Sequence, residues 1–242
     1  MIGNWIDVAL LKKSPEKVAK EAEAMNGIIN VLVAGIIIGL ISAVLGGIAA
    51  IVGGTLGGGL NGGLQGAGLG LGAGIIGAII GGIIAVIATP IISVLALVIG
   101  AGIVHIFAKL LGGKGSYGAM VGTIGVIDAS IMMTFSLVLT IIQGVLGIFA
   151  IGPIAIIVGL VGILLAPIGL IIGLYNLYLS IRGIAAVQSF DMLKAALSII
   201  IPMVILFVIF AILAIIAIVV LGVAAAGLMS SLSGTGLFGG LL

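Results

Sequence analysis

The sequence predicts an all-α, polytopic membrane protein built as a bundle of five transmembrane helices. Three observations lead to this class: 63% of the 242 residues are hydrophobic, 6% are charged, and the mean hydropathy is +1.64. Soluble domains carry about 25% charged residues, and a soluble fold would have to expose much of this apolar surface to water. The apolar runs are continuous rather than alternating with polar residues, which favours helices over a β-barrel.

Each predicted span is an apolar run at least as long as the roughly 20 helical residues that cross a bilayer. The runs are 27–52, 75–111, 118–144, 153–180 and 197–226. The second run would be about 55 Å long at ~1.5 Å per residue. We therefore expect it to tilt, to kink at Pro90, or to begin with a partly inserted piece.

Between the first two runs lies a glycine tract, residues 53–74. Three conformations are consistent with this tract: an outer loop, a re-entrant hairpin, or an extension of the neighbouring spans. Together with the spans it makes up a membrane domain, residues 27–226, which follows an amino-terminal segment, residues 1–26. An apolar tail, residues 227–242, ends the chain.

The positions of the basic residues predict the orientation. All eight lie before the first span, between the second and third, or between the fourth and fifth: Lys12, Lys13, Lys17, Lys20, Lys109, Lys114, Arg182 and Lys194. Cytoplasmic connections are rich in Lys and Arg. This pattern therefore predicts a cytoplasmic amino terminus, an external carboxyl terminus and a multi-pass location in the cell membrane.

The amino-terminal segment predicts two short helices. Apolar residues at helical spacing around Trp5 are typical of an amphipathic helix in the headgroup region. Ser14-Pro15 predicts the start of a second helix, in which Glu16 and Lys20 would form an i,i+4 pair. We expect this segment to be a solvated lead-in to the first span, with a docking surface for a partner as the alternative.

The composition excludes several function classes. The chain has no cysteine and one histidine, so we expect neither a disulfide nor a metal site. No spacing of Ser, His and Asp resembles a hydrolytic set, and the glycine tract lacks the lysine of a phosphate-binding loop. We therefore expect neither an enzyme nor a cofactor. A formal charge of +2 is too small to predict a nucleic-acid partner.

Asp128 and His105 are the candidate polar residues inside the membrane. Asp128 would lie about 15 Å below the cytoplasmic edge of the third span at the helical rise, near the bilayer centre, where a carboxyl group is costly and needs a partner. One hypothesis is a proton or cation relay or a substrate contact. The other is a hydrogen bond to a neighbouring helix through Ser130, Thr134 or a carbonyl group. We expect His105 to end its helix at the headgroups, since pairing with Asp128 would need tilt or a water.

Small residues spaced four apart predict close helix packing. The steps Gly35/Gly39 and Gly77/Gly81 lie in the first two spans, and similar steps run through the glycine tract. In lipid, such steps let helix backbones approach each other. Three roles are open: packing of the first two spans within one chain, an interface between copies in a homo-oligomer, and a glycine-lined pore.

Two stretches carry a resemblance to a known family. The first, "HIFAKLLGGKGSY", ends the second span and contains His105, Phe107, Lys109, Gly112, Gly113, Lys114, Gly115 and Tyr117. The second, "LYNLYLSIRGIAAVQSFDMLKAAL" at 174–197, has an aromatic-rich span end with Tyr178, then Arg182, then a short loop before Lys194. Both closely resemble the YIP domain family, the Ypt/Rab-interacting membrane proteins, and the resemblance covers about residues 14–225.

The resemblance implies five transmembrane helices and a cytoplasmic amino end, in agreement with the charges. Trafficking members of the family are tied to small prenylated GTPases. This chain lacks their long polar amino-terminal region, so we expect no small-GTPase partner. The short loops and isoleucine-rich spans resemble prokaryotic members, and among these archaeal ones.

These observations together predict a non-enzymatic scaffold. It would organise or shape the membrane through helix packing, self-association or recruitment of a partner, with membrane lipids and other copies or membrane proteins as its contacts. The amino-terminal helices and the two basic loops would form its cytoplasmic face. The alternative function is an ion or small-molecule transporter or channel with Asp128 as its polar focus.

Overall fold

The computed structural model describes the backbone of residues 5–150 and 154–234, and the side chains of residues 5–53, 75–150, 154–219 and 221. Within these ranges the chain is almost entirely helical and contains no strand. The elements in chain order are α1 (Trp5–Ala9), α2 (Pro15–Glu21), α3 (Ala24–Leu110), α4 (Tyr117–Ile131), a π-helical segment (Met132–Ser136), α5 (Leu137–Ile148), α6 (Ile154–Gln188) and α7 (Met192–Gly234).

In the described part of the chain, five helical stretches are long and apolar enough to cross a membrane, which confirms the predicted all-α class and the number of spans. They are Ala24–Gly53, Ile75–Leu110, Tyr117–Ile148, Ile154–Gln188 and Met192–Val219. The fourth stretch continues to Gln188 rather than ending at 180, and the fifth begins at Met192 rather than 197. The predicted bounds stopped short of these turns because Arg182 and Lys194 interrupt the apolar runs there.

The chain forms two compact units, Met1–Ser198 and Ile199–Leu242. In the second unit, α7 is an apolar helix whose described side chains from 203 to 219 are all exposed. The start of the predicted tail at 227 is not a helix end, because α7 continues to Gly234. The rest of that predicted tail lies outside the described residues.

The first two spans both belong to α3 and lie antiparallel. A Cβ at Gly35 would lie 2.8 Å from Pro90 Cα, and one at Gly39 would lie 2.7 Å from Ala85 O. Glycine at these two positions therefore permits a backbone-to-backbone approach within one chain. The glycine tract falls within the bounds of α3, but α3 cannot run straight through it, because the contacts at Gly35 and Gly39 bring the two spans back alongside each other. The side chains of residues 54–74 lie outside the described part.

The buried core of the first unit lies at one end of its spans. Fully buried side chains concentrate between Met120 and Ile131 of α4 and between Leu179 and Gln188 of α6. In contrast, α6 from Ile154 to Leu174 is mostly exposed. One end is therefore closed by protein packing, while the remaining length presents apolar side chains outward, as a lipid-facing surface does.

The connections between spans meet at this same end. Lys114 N–H donates to Gln188 O at 3.0 Å, and a Cβ at Gly118 would lie 3.7 Å from Ala24 Cβ. All eight basic and all six acidic residues belong to the segments that meet here. We call it the basic end.

The amino-terminal helices pack into the basic end, so the prediction of a solvated lead-in is wrong. Val8 and Ala9 of α1 are 1% and 0% exposed and belong to the same apolar cluster as Ile127 of α4 and Leu179 of α6. Val18 of α2 is 3% exposed in that cluster. The alternating exposed and buried residues of these short helices are therefore explained by docking onto the spans.

Candidate functional site

A polar layer crosses the basic end between the helices. Asn176 Nδ2 of α6 donates to Asp128 Oδ1 of α4 at 3.0 Å. Asp128 thus bonds to a neighbouring helix, as one hypothesis expected, but through a residue that the sequence analysis did not single out. Ser130, one of the expected partners, instead donates to its own helix at Val126 O.

Two side-chain oxygens in this region are buried without a hydrogen-bond partner among the described residues, Asn176 Oδ1 and Thr134 Oγ1. Thr134 lies in the π-helical segment, where Leu137 N–H donates to Met132 O across five residues. Single π-helical turns are rare and occur frequently at functional sites. An unpaired buried oxygen costs free energy, so each of these two atoms would gain from a hydrogen-bond donor or a cation.

The first helix is fixed to the same layer by two hydrogen bonds. Trp5 Nε1 donates to Asn30 Oδ1 at 2.8 Å, and Tyr175 OH donates to Ala9 O at 2.7 Å. Asn30 is 2% exposed, and its amide also donates to Asn26 O. The indole of Trp5 therefore bonds to a buried asparagine of the first span.

Asp128 lies within the third helical stretch that is long and apolar enough to cross a membrane, Tyr117–Ile148. Residues 120–127 of this stretch are largely buried by neighbouring elements. Beyond Asn176, α6 presents one exposed apolar run, Ile154–Leu174, which is about 30 Å long at ~1.5 Å per residue.

His105 lies in a second polar cluster, away from Asp128. Gln188, whose side chain is 0% exposed, accepts a hydrogen bond from Gly115 N–H at 2.9 Å and contacts His105 Nδ1 through Nε2 at 3.2 Å. The His105 ring also lies against Tyr117, with centroids 5.8 Å apart, and Tyr117 OH donates to Val98 O. This clasp, formed by His105, Gly115, Tyr117 and Gln188, ties the α3–α4 connection to the end of α6.

The α3–α4 connection requires glycine at three positions of the first family-like stretch, either for a left-handed backbone or for close contact with neighbouring atoms. Gly112 has φ +90°, a left-handed conformation that suits glycine, and its N–H donates to Lys109 O. A glycine cap therefore ends the second span. A Cβ at Gly113 would lie 2.9 Å from Ala108 O, and one at Gly115 would lie 2.7 Å from Val187 Cγ1.

The basic residues of the two family-like stretches occupy different settings. Arg182 pairs with Glu16 of α2 at 2.7 Å and lies over the Tyr178 ring at 5.7 Å. The sequence predicted that Glu16 would pair with Lys20 on the same helix. In the structure Glu16 instead pairs with Arg182 on α6. The other three basic residues of these stretches have exposed side chains: Lys109, Lys114 and Lys194.

The Glu16 carboxylate has a lowered pKa. Partial burial opposes its ionisation, but hydrogen bonds from its own backbone amide, from Ser14 and from Arg182 outweigh that cost, so the pKa of Glu16 lies below the ordinary value. The ion pair with Arg182 therefore persists at neutral pH. It joins α2 to α6.

The glycines of the second span differ from those of the first. At Gly77 and Gly81, no described atom lies within 4 Å of the position that a Cβ would occupy. Both residues line an open groove of about 240 Å³ between the two spans of α3, together with Gly46 and other small residues. Packing within the described chain thus explains Gly35 and Gly39 but not Gly77 and Gly81.

Sequence reasoning missed the partners Asn30, Asn176 and Gln188. Each is an amide side chain within or beside an apolar run, and such residues are costly in a span unless they are bonded. That cost is the signal that could have identified them. Their pairings could not be predicted, because each bond joins residues at least 25 positions apart.

The fold and the polar layer define a polytopic α-helical membrane protein whose charged residues gather at one end. Comparison with known proteins finds no relative: no family model, no curated protein and no solved structure matches the chain. The function is therefore argued from the geometry.

Proposed function

We propose that the protein is a non-enzymatic membrane scaffold of the YIP type that organises the membrane by associating with copies of itself. The observation that carries this proposal is the open groove along α3. Its small residues, Gly46, Gly77 and Gly81 among them, have no described neighbour at the Cβ position. In lipid, small residues of this kind let the helix of another copy approach closely, and the gain is dispersion contact.

The family part of the proposal is supported by how the two family-like stretches meet. Gly115 from the first stretch donates to Gln188 from the second, and Lys114 N–H donates to the same residue's carbonyl. Two segments that resemble the family separately thus form one structural unit, the clasp. A contact between the two stretches is what we expect if they belong to one family fold.

The proposal includes the orientation of the chain. Since all basic residues gather at one end, that end faces the cytoplasm by the positive-inside rule. Because the chain has no cysteine, Lys114→Cys can be labelled alone with a membrane-impermeant maleimide. Labelling in inverted vesicles but not in intact cells is expected, and the reverse result would overturn the orientation.

Self-association is tested by substitution at the groove. Gly77→Leu places its Cβ where no described atom lies within 4 Å and fills the groove, so we expect the folded protein to lose its oligomer, as measured by light scattering after size exclusion and by cross-linking in membranes. Gly169→Leu on α6 is the matched control, because its Cβ position is equally open. A monomeric wild type, or an oligomer that survives Gly77→Leu, would refute the proposal.

A second function, an ion or small-molecule pathway beside Asp128, is favoured by the two unpaired buried oxygens, Asn176 Oδ1 and Thr134 Oγ1. Oxygen atoms of this type suit a hard cation. The test is flux of protons and monovalent cations into proteoliposomes. This pathway predicts flux that Asp128→Asn abolishes and that Glu23→Gln, an exposed control at the basic end, leaves unchanged. Absence of flux above empty vesicles would remove this candidate.

A further inference from the structure

We propose that the clasp is a pH-sensitive switch: it holds the α3–α4 connection to the end of α6 while His105 is neutral, and it releases the connection when His105 takes up a proton. The switch is formed within one chain and requires no second copy. It is therefore independent of the proposed scaffold function.

The side-chain amide of Gln188 can bond in one orientation only. A backbone N–H can only donate, so the atom that faces Gly115 N–H at 2.9 Å must be the carbonyl oxygen, Oε1. The NH2 group of the same amide then lies 3.2 Å from His105 Nδ1. Since an amide NH2 group donates and does not accept, Nδ1 must be the acceptor. This contact fixes His105 as the neutral tautomer that carries its proton on Nε2.

Protonation of His105 removes the acceptor that closes the clasp. A charged imidazole carries a hydrogen on both ring nitrogens, so two donors would face each other at His105 Nδ1 and Gln188 Nε2. Turning the amide over would give Nδ1–H an acceptor, but it would place the NH2 group against Gly115 N–H. In either orientation one donor loses its partner beside a side chain that is 0% exposed, and an unpaired donor in such a place costs free energy.

The groups around His105 do not offset a positive charge on the ring. On its own helix, the charged group that acts on His105 is Lys109, four residues later. The α4 side contributes Tyr117, whose ring centroid lies 5.8 Å from that of the imidazole, and α6 contributes the neutral Gln188. The connection itself carries a second lysine, Lys114, whose N–H donates to Gln188 O at 3.0 Å.

The segment that follows α6 carries one acid and one base, Asp191 and Lys194. Asp191 Oδ1 accepts the Lys194 N–H at 3.3 Å, so this carboxylate caps the start of α7. In the part of the chain that the structure describes, no carboxylate acts on the His105 ring. A proton on His105 would therefore not be held by an ion pair.

Other contacts of the connection lie next to the Gln188 amide. Lys114 N–H donates to the Gln188 carbonyl, and a Cβ at Gly115 would lie 2.7 Å from Val187 Cγ1. Both contacts involve Gln188 or the residue before it, so we expect them to loosen when the amide loses its partners. Acid would thereby free the segment that joins the second and third spans from the end of α6.

The pH range of the switch follows from the open state. In the open clasp His105 is an ordinary histidine, which takes up a proton at about pH 6.5, whereas the closed clasp takes up none. The ratio of open to closed molecules therefore rises about tenfold for each pH unit below about 6.5. Between pH 8 and pH 5 the rise is about 30-fold.

The tautomer is tested directly, because His105 is the one histidine of the chain. Labelling histidine alone with nitrogen-15 gives a single imidazole in the NMR spectrum of the protein in detergent micelles. At pH 8 we expect a neutral ring with its proton on Nε2. A proton on Nδ1 at this pH would exclude the bond from Gln188 and would overturn the proposal.

Opening is measured as hydrogen exchange at the Gly115 amide, relative to the rate of an unstructured peptide at each pH. We expect protection to fall about 30-fold from pH 8 to pH 5. Protection of Leu111 N–H, which donates to Phe107 O at the end of α3, should stay constant. An equal fall at both amides would show a general loss of structure, and constant protection at Gly115 would show that the ring does not control the clasp; either result refutes the switch.

His105→Gln identifies the titrating group. Its side-chain carbonyl can accept from Gln188 Nε2 and binds no proton in this pH range, so we expect protection at Gly115 that does not depend on pH. Lys109→Gln is the matched control, because it removes a neighbouring charge and leaves the histidine, and it should keep the pH dependence. A fall in His105→Gln equal to that of the wild type would contradict the switch, and the wild-type measurements decide the question even if this variant does not fold.

Discussion

Replacing Gln188 by alanine should separate the α3–α4 connection from the end of α6. The side chain is fully buried and accepts the Gly115 N–H at 2.9 Å. Without it, this amide donor is left unpaired, at a cost of about 1–3 kcal/mol. A residual cavity of roughly 50 Å³ would add about 1 kcal/mol at ~24 cal/mol per Å³.

The expected destabilisation is therefore about 2–4 kcal/mol. For a chain of this size, that corresponds to a fall in Tm of roughly 5–15 °C at about 2–4 °C per kcal/mol. Thermal unfolding in a mild detergent measures the shift. Hydrogen exchange at the Gly115 amide should accelerate in the variant, which assigns the loss to the clasp.

Gln143→Ala is the matched control, because Gln143 is an exposed glutamine in α5. Its effect should stay within about 0.5 kcal/mol, as for most surface substitutions. Equal stability of the Gln188 and Gln143 variants would refute the reasoning, since it would mean that the clasp contributes nothing to holding the two helix ends together.

Two further predictions concern the other polar contacts of the basic end. Asn176→Leu leaves Asp128 without its described hydrogen bond, so we expect a loss of about 1–3 kcal/mol, of which Asp128→Leu in the same chain restores part; additive losses in a double-mutant cycle would contradict a direct interaction. The lowered pKa of Glu16 means that its ion pair with Arg182 stabilises α2 fully above the unfolded value of about 4.3 and that this contribution disappears as pH falls through the lower folded value. Protease protection of the amino terminus should therefore decrease in acid for the wild type, with a weaker dependence in Glu16→Gln.

The sequence determined the membrane class and the number of spans, because hydropathy is a local property that sums along a run. It also determined that the basic residues would gather at one end, since two spans separate each basic segment from the next and two spans return the chain to the same side.

Only the tertiary structure decided the partners. Asp128 bonds to Asn176, and Glu16 bonds to Arg182, because those helix faces meet, and neither pairing is encoded in local spacing. The glycine steps show the same limit. Gly35 and Gly77 lie in the same sequence pattern, yet Gly35 packs against Pro90, whereas no described atom lies near the Cβ position of Gly77. Whether a small residue or a buried amide is already satisfied depends on what lies opposite, and that is a property of packing rather than of sequence pattern.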